Sequence, residues 1–105
     1  MSAPTLPQVF ARSDRMVGRR IAGEYVLVPL AGRGVDLDRI LNLNRVAAFV
    51  WELLDGRKSG REIVSAMTGQ FDVDAETAGR DYLELLATLD ELKAVRLVSG
   101  VTPAP

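Results

Sequence analysis

The sequence predicts an α+β domain of winged-helix-like outline, a three-stranded antiparallel sheet followed by three helices. Three observations predict it. Two β-rich runs flank Ala22-Gly23, a capped segment with apolar residues at helical spacing runs from Asn44 to Gly56, and a wide leucine stripe recurs at spacings of three and four from Ala78 to Leu92.

The first strand spans residues 15–21 and the second 24–30, with Ala22-Gly23 forming the tight turn of a hairpin. Alternation puts Tyr25, Leu27 and Pro29 on one face and Val26, Val28 and Leu30 on the other. Residues 31–38 are rich in glycine and aspartate and read as a loop, after which residues 39–43 form a third strand that leads directly into a helix. That first helix, residues 45–55, starts at Asn44, whose side chain can accept from the free amides of the opening turn, and stops at Gly56, which tolerates a left-handed conformation. The second helix, residues 60–69, is announced by Ser59-Gly-Arg-Glu62, a capping box in which hydroxyl and carboxylate satisfy each other's free amides; Ile63, Val64 and Met67 form its apolar face. The third, residues 75–95, follows Asp74 and carries Ala78, Tyr82, Leu85, Leu86, Leu89 and Leu92. Leu97 and Val98 then return briefly to the core. Residues 1–13, with Pro4, Pro7 and little periodicity, are expected to be a flexible lead-in and residues 99–105 a flexible tail, leaving 14–98 as the ordered domain.

Composition narrows the function. A chain of 105 residues supports one core burying roughly 65% of its unfolded surface, with no room for a second catalytic domain. It is 48% hydrophobic and 26% charged with a formal net charge of -1, a globular profile with no global attraction to nucleic acid. It has no cysteine and no histidine, hence no thiolate nucleophile, no disulfide, no zinc site of the usual kind and no imidazole base, so neither an enzyme nor a bound metal or cofactor is expected. No apolar run approaches the roughly 20 residues that span a bilayer, and Met1 to Gln8 lack a signal-peptide core, so the expectation is a cytoplasmic protein without a membrane partner.

The remaining candidates for chemistry have simpler structural readings. Asp36 with Asp38, and Asp72, Asp74 and Glu76, are paired carboxylates, but the second group lacks the glycine and terminal glutamate of a calcium loop, Thr77 and Leu83 standing there instead. Asp74 is better read as a helix cap and Glu76 as a first-turn acid. Gly32-Arg33-Gly34 precedes a strand and is followed by no lysine-hydroxyl pair, so it is a turn rather than a phosphate loop. Arg12, Arg15, Arg19 and Arg20, and Arg57, Lys58 and Arg61, form two basic clusters that suit a solvated face, and Trp51 and Tyr82 fall on apolar helix stripes that suit core packing.

Leu43-Asn44, the helix ending Val50-Trp51-Glu52-Leu53-Leu54-Asp55-Gly56, the run from Ser59 to Val64, and Asp81-Tyr82 with Leu85, Leu86 and Leu89 together resemble the PqqD-like family over residues 15–98. The sequence departs from the family pattern at Arg45-Val46, where a short polar-small pair is usual, and at Arg96, where a glycine usually ends the third helix.

The resemblance implies a non-catalytic module, a RiPP recognition element, that binds the leader of a ribosomally made precursor peptide. Such modules present the leader to a partner enzyme such as a radical-SAM enzyme, a leader peptidase or a cyclase, in pyrroloquinoline quinone biosynthesis or in a peptide natural product pathway. The implied mode is strand addition to the open edge of the third strand, with apolar leader side chains entering a cleft against the third helix. The candidate peptide-binding residues for that mode are Arg39, Ile40, Leu41, Asn42 and Leu43 on the open strand and, from the helical wheel of the third helix, Tyr82, Leu85, Leu89 and Leu92 at the centre of the stripe with Asp81 and Thr88 at its margin. Asp81, at the margin of the stripe, is a candidate to select a basic or amide-bearing leader group. The same open edge allows a monomer or a weak homodimer. A winged-helix nucleic-acid binder is the competing function, opposed by Asp74, Glu76, Asp81 and Glu84 on what would be the recognition helix.

Overall fold

A computed structural model describes residues 3–29 and 40–99. The loop expected over residues 31–38, the end of the tail and Arg39 lie outside the described residues.

Among the described residues six strands and three helices follow in the order β1 (Val9–Arg12), β2 (Met16–Ile21), β3 (Glu24–Pro29), β4 (Leu41–Leu43), α1 (Arg45–Leu53), β5 (Asp55–Ser59), α2 (Gly60–Gln70), α3 (Ala75–Glu91) and β6 (Val95–Ser99). They form two antiparallel three-stranded sheets, ordered β2-β3-β4 and β5-β1-β6. The first is the sheet the sequence predicts. Ala22 and Gly23 both have positive φ, +52° and +84°, as the two-residue turn between β2 and β3 requires. Leu27 is fully buried and Tyr25 packs against the core, so the face they share is the inward face of β3.

The second sheet corrects the expected outline. The proposed lead-in over residues 1–13 contains β1, the central strand of that sheet, with Phe10 and Ala11 buried. Residues just before it are fastened as well: the Gly60 amide donates to the Gln8 carbonyl and the Arg61 amide to the Leu6 carbonyl. Together with the capping box, in which Glu62 N donates to Ser59 Oγ and Ser59 N to Glu62 Oε1, these bonds satisfy the opening amides of α2.

Because β1 offers an edge, the chain after α1 becomes strand rather than cap. The helix ends at Leu53 instead of residue 55, and Gly56, expected to stop it, instead sits within β5 at φ +84°, where an added Cβ would stand 3.3 Å from Ala11 Cβ. The carbonyls at the end of α1 are taken by Arg12, whose Nη1 donates to Trp51 O and Glu52 O, both at 2.8 Å. A cation there also opposes the helix dipole.

α3 starts as predicted, with Thr77 N donating to Asp74 Oδ1 at 2.7 Å, but ends at Glu91 rather than near residue 95. Ala94 N donates to Leu89 O and Lys93 N to Asp90 O, with Lys93 at φ +60°. This is a Schellman closure with lysine in the left-handed place that glycine usually takes. The return to the core is made by Ala94 and Val95, not by Leu97 and Val98, which lie exposed on β6.

The core gathers Leu27, Val50, Trp51, Leu54, Ile63, Met67, Ala78, Tyr82, Leu86 and Leu89. Trp51 and Tyr82 are thus packing residues, as their places on apolar stripes predict.

Candidate peptide-binding groove

Among the described residues β4 pairs with β3 alone, through Tyr25↔Leu43, Val26↔Asn42 and Leu27↔Leu41, so its outer edge is open. Leu43 is buried, Leu41 packs half-buried on the core, Asn42 points to solvent and Ile40, just before the strand, is exposed. Pleating explains the alternation.

Where β4 gives way to α1, a groove of about 390 Å³ opens between the first turns of α1 and the middle of α3. Asn44, Val46, Ala47 and Val50 line one wall and Asp81, Glu84, Leu85 and Thr88 the other, with Met67 of α2 between them. Residues 81, 84, 85 and 88 follow the three-four spacing of one helix face, which is why they share the wall. Asn44 caps α1, accepting from Ala47 N at 2.8 Å, and so fixes the groove's near end. The Thr88 hydroxyl donates to the Glu84 carbonyl at 3.2 Å.

Of the residues expected to bind the peptide, Asp81, Leu85 and Thr88 therefore meet in this groove. Tyr82 and Leu89 have no solvent exposure and support α3 from behind. Leu92 caps the end of α3, packed against the core, and is not part of the groove lining. Sequence reasoning missed Val46, Ala47 and Met67, whose apolar character marks them equally for core, and it gave Glu84 no part in the site, although Glu84 lies one turn from Asp81 and Thr88.

A second recess of about 600 Å³ lies on the other face of α1, lined by Arg20, Tyr25, Leu43, Arg45, Phe49 and Phe71 among others. It meets the groove only at Asn44. Here Tyr25 Oη donates to Glu52 Oε2 at 2.6 Å, the Arg20 guanidinium stacks 5.6 Å from the Tyr25 ring centre, and Phe49 meets Phe71 edge to face. Desolvation, and then the bond to Glu52, push the Tyr25 phenol up to about 12. Among the described residues no three His, Cys, Asp or Glu side chains gather to hold a metal, and no helix is long and apolar enough to cross a membrane.

Comparison with known proteins places these features in context. The family model described as coenzyme PQQ synthesis protein D matches residues 24–95, more than half of the chain. A relative from Xanthomonas oryzae pv. oryzae (strain PXO99A), named PqqA binding protein, is 33% identical over 60 residues, covering 57% of this chain and 65% of that protein. A relative of the same name from Xanthomonas campestris pv. campestris (strain 8004) is 32% identical over the same length. The aligned stretch thus spans just under two thirds of these curated relatives. Among solved structures, TbiB1 in complex with the TbiA(β) leader peptide is 28% identical and superposes with a TM-score of 0.66 over 88% of this chain and 98% of that one. The lasso peptide synthetase B1 complexed with the leader peptide, at 22% identity and a TM-score of 0.68 over 83% of this chain and 96% of that one, shares the fold. On the extent of the family match, and with the sheet, helices and groove described above, this chain belongs to the PqqD family.

Proposed function

We propose that this protein binds the leader segment of a ribosomally made precursor peptide and holds it for a modifying enzyme, without catalysing a reaction itself. The observation that carries this reading is the open outer edge of β4 leading into a groove with apolar lining residues. The relatives named PqqA binding protein and the leader-bound TbiB1 support the same reading. Its place of action would be the cytoplasm, where such precursors are made.

The magnitudes say which contacts matter. A strand of three residues, Leu41–Leu43, offers a guest about two to four backbone bonds at roughly 1 kcal/mol net each, less than the cost of ordering a peptide. Two or three apolar leader side chains, at about 1.5 to 3 kcal/mol apiece, bring the total to micromolar affinity or better. Strand pairing sets register, and the half-buried Leu41, Val46 and Leu85 supply the surface that a guest would cover. Ile40, Asn42, Asp81 and Thr88 are the proposed polar and rim contacts, and Arg39 is proposed from the sequence alone. Tyr82, Leu89 and Leu92 would act by holding α3 in place.

Labelled PqqA peptide and labelled TbiA(β) leader, titrated against the protein and followed by amide hydrogen exchange, test the proposal. Binding at micromolar or lower concentration with slowed exchange at the amides of residues 41–43 is expected. If neither peptide binds, or if the protected amides lie only elsewhere, strand addition at β4 is wrong.

A further inference from the structure

The groove beside α1 is chemically lopsided. Its apolar lining is Val46, Ala47, Val50, Met67 and Leu85, and among its described lining residues the only charged groups are two carboxylates, Asp81 and Glu84. Both are exposed and stand one turn apart on the same wall, where α3 presents residues 81, 84, 85 and 88. The uncharged polar groups do not offset them. Asn44, whose side-chain oxygen accepts from the Ala47 amide, and Thr88, whose hydroxyl donates to its own helix, are neutral and cancel no charge. The opening turn of α1 contributes about half a positive charge at the near end, which leaves the groove clearly negative against two carboxylates. Of the basic residues adjacent in sequence to the lining, Arg45 lines the recess on the opposite face of α1, and Arg80, next to Asp81, is not among the lining residues and acts on Asp74.

An apolar leader residue would bury the apolar lining but leave two carboxylates partly desolvated without a partner, and an acidic one would be repelled. A lysine or arginine satisfies both parts of the surface, because its aliphatic stem covers apolar atoms while its head stays at the rim. On the reading of the protein as a leader-binding module, we infer that this groove is the pocket for a basic residue of the guest peptide. Its stem lies along Val46, Ala47 and Leu85, and its cationic head is held between Asp81 and Glu84. Strand pairing at β4 fixes how far along the guest that residue stands from its apolar anchors, so the groove reads one position of the leader.

The test selects binders to the full chain from a displayed library of random 15-residue peptides, and repeats the selection with the D81N/E84Q double variant, whose nearly isosteric exposed replacements preserve the fold. Wild-type binders that protect residues 41–43 are expected to carry arginine or lysine at one position, at a constant offset from apolar ones. The double variant is expected to keep the apolar positions and lose the basic one. Replacing that basic residue by norleucine in a synthetic binder should weaken binding to the wild type by roughly fivefold or more at low salt. The same replacement should leave binding to the variant unchanged. Wild-type binders without a basic position, or an equal loss in wild type and variant, would overturn the inference while leaving leader binding at β4 standing. A failure to obtain any binder that protects residues 41–43 would overturn both.

Discussion

The Tyr82 hydroxyl is buried in the core with no hydrogen-bond partner among the described residues. An unpaired hydroxyl in such a place costs on the order of 1 to 3 kcal/mol, whereas the ring around it fills space next to Gly60, where an added Cβ would meet Tyr82 Cε2 at 2.7 Å. Tyr82→Phe keeps the ring and removes the unpaired group. The urea midpoint should therefore rise, by an amount equivalent to about 1 kcal/mol, with leader affinity unchanged. A lower midpoint would mean that the hydroxyl has a partner. Lys93 gives a second residue-scale test, since it occupies the left-handed closing position of α3 at φ +60°. Glycine there should stabilise the fold by roughly 0.5 to 1 kcal/mol in the same urea titration, provided the Schellman bonds from Lys93 and Ala94 persist. Gly18 behaves in the opposite sense: a Cβ there would sit 2.9 Å from Trp51 Nε1 and against the Tyr25 ring, so even alanine must displace the Tyr25–Glu52 pair.

At the scale of elements, β1 is the piece on which most depends and the one the sequence conceals. A four-residue strand preceded by Pro7 has too few alternations to stand out, and β5, Asp55-Gly-Arg-Lys-Ser59, is too polar to look like a strand at all. Both become strands through pairing with each other, and β1 also with β6, a tertiary effect that local pattern does not contain. Where local chemistry decides, the sequence was legible: the Asn44, Ser59 and Asp74 caps and the β2–β3 turn all stand where they were expected. The groove was half legible for the same reason. Helical spacing brings Asp81, Leu85 and Thr88 to one wall, but the facing wall of Val46 and Ala47 depends on how α1 crosses α3. Deleting residues 1–12 removes the middle strand of one sheet, the Arg12 cap of α1 and two acceptors of the α2 amides. The truncated chain should lose its cooperative thermal transition by circular dichroism, even though the family match begins only at residue 24. A truncated chain that melts as sharply as the full one would show that the second sheet is dispensable.

For the molecule as a whole, the titratable groups define the pH window in which the fold holds. At the acid end, hydrogen bonds from Lys58 and the Arg57 amide lower the Asp55 carboxyl to about 2, and the Thr77 amide and hydroxyl lower Asp74. Both groups favour the folded state above the ordinary carboxylate range and lose that contribution as pH falls through their folded values, and because both are exposed the loss is gradual. The alkaline end is sharper, because the chain's two tyrosines are both held protonated. Burial raises Tyr82 to about 12, and burial with the Glu52 hydrogen bond raises Tyr25 from 10.0 to about 12. A phenol whose folded pKa exceeds its unfolded one contributes fully below pH 10 and progressively less from there to about 12, so the fold should weaken across that interval. Titration followed by phenolate absorbance should show little ionisation near pH 10 and then a late rise that coincides with loss of the circular dichroism signal. Tyr25→Phe should halve the amplitude of that rise while leaving its onset late, since Tyr82 stays enclosed. A phenolate step near pH 10 in protein that is still folded would mean that one of the two rings is open to solvent. In the Tyr25→Phe variant that ring would have to be Tyr82, and the core arrangement that holds α3 against the groove would be wrong.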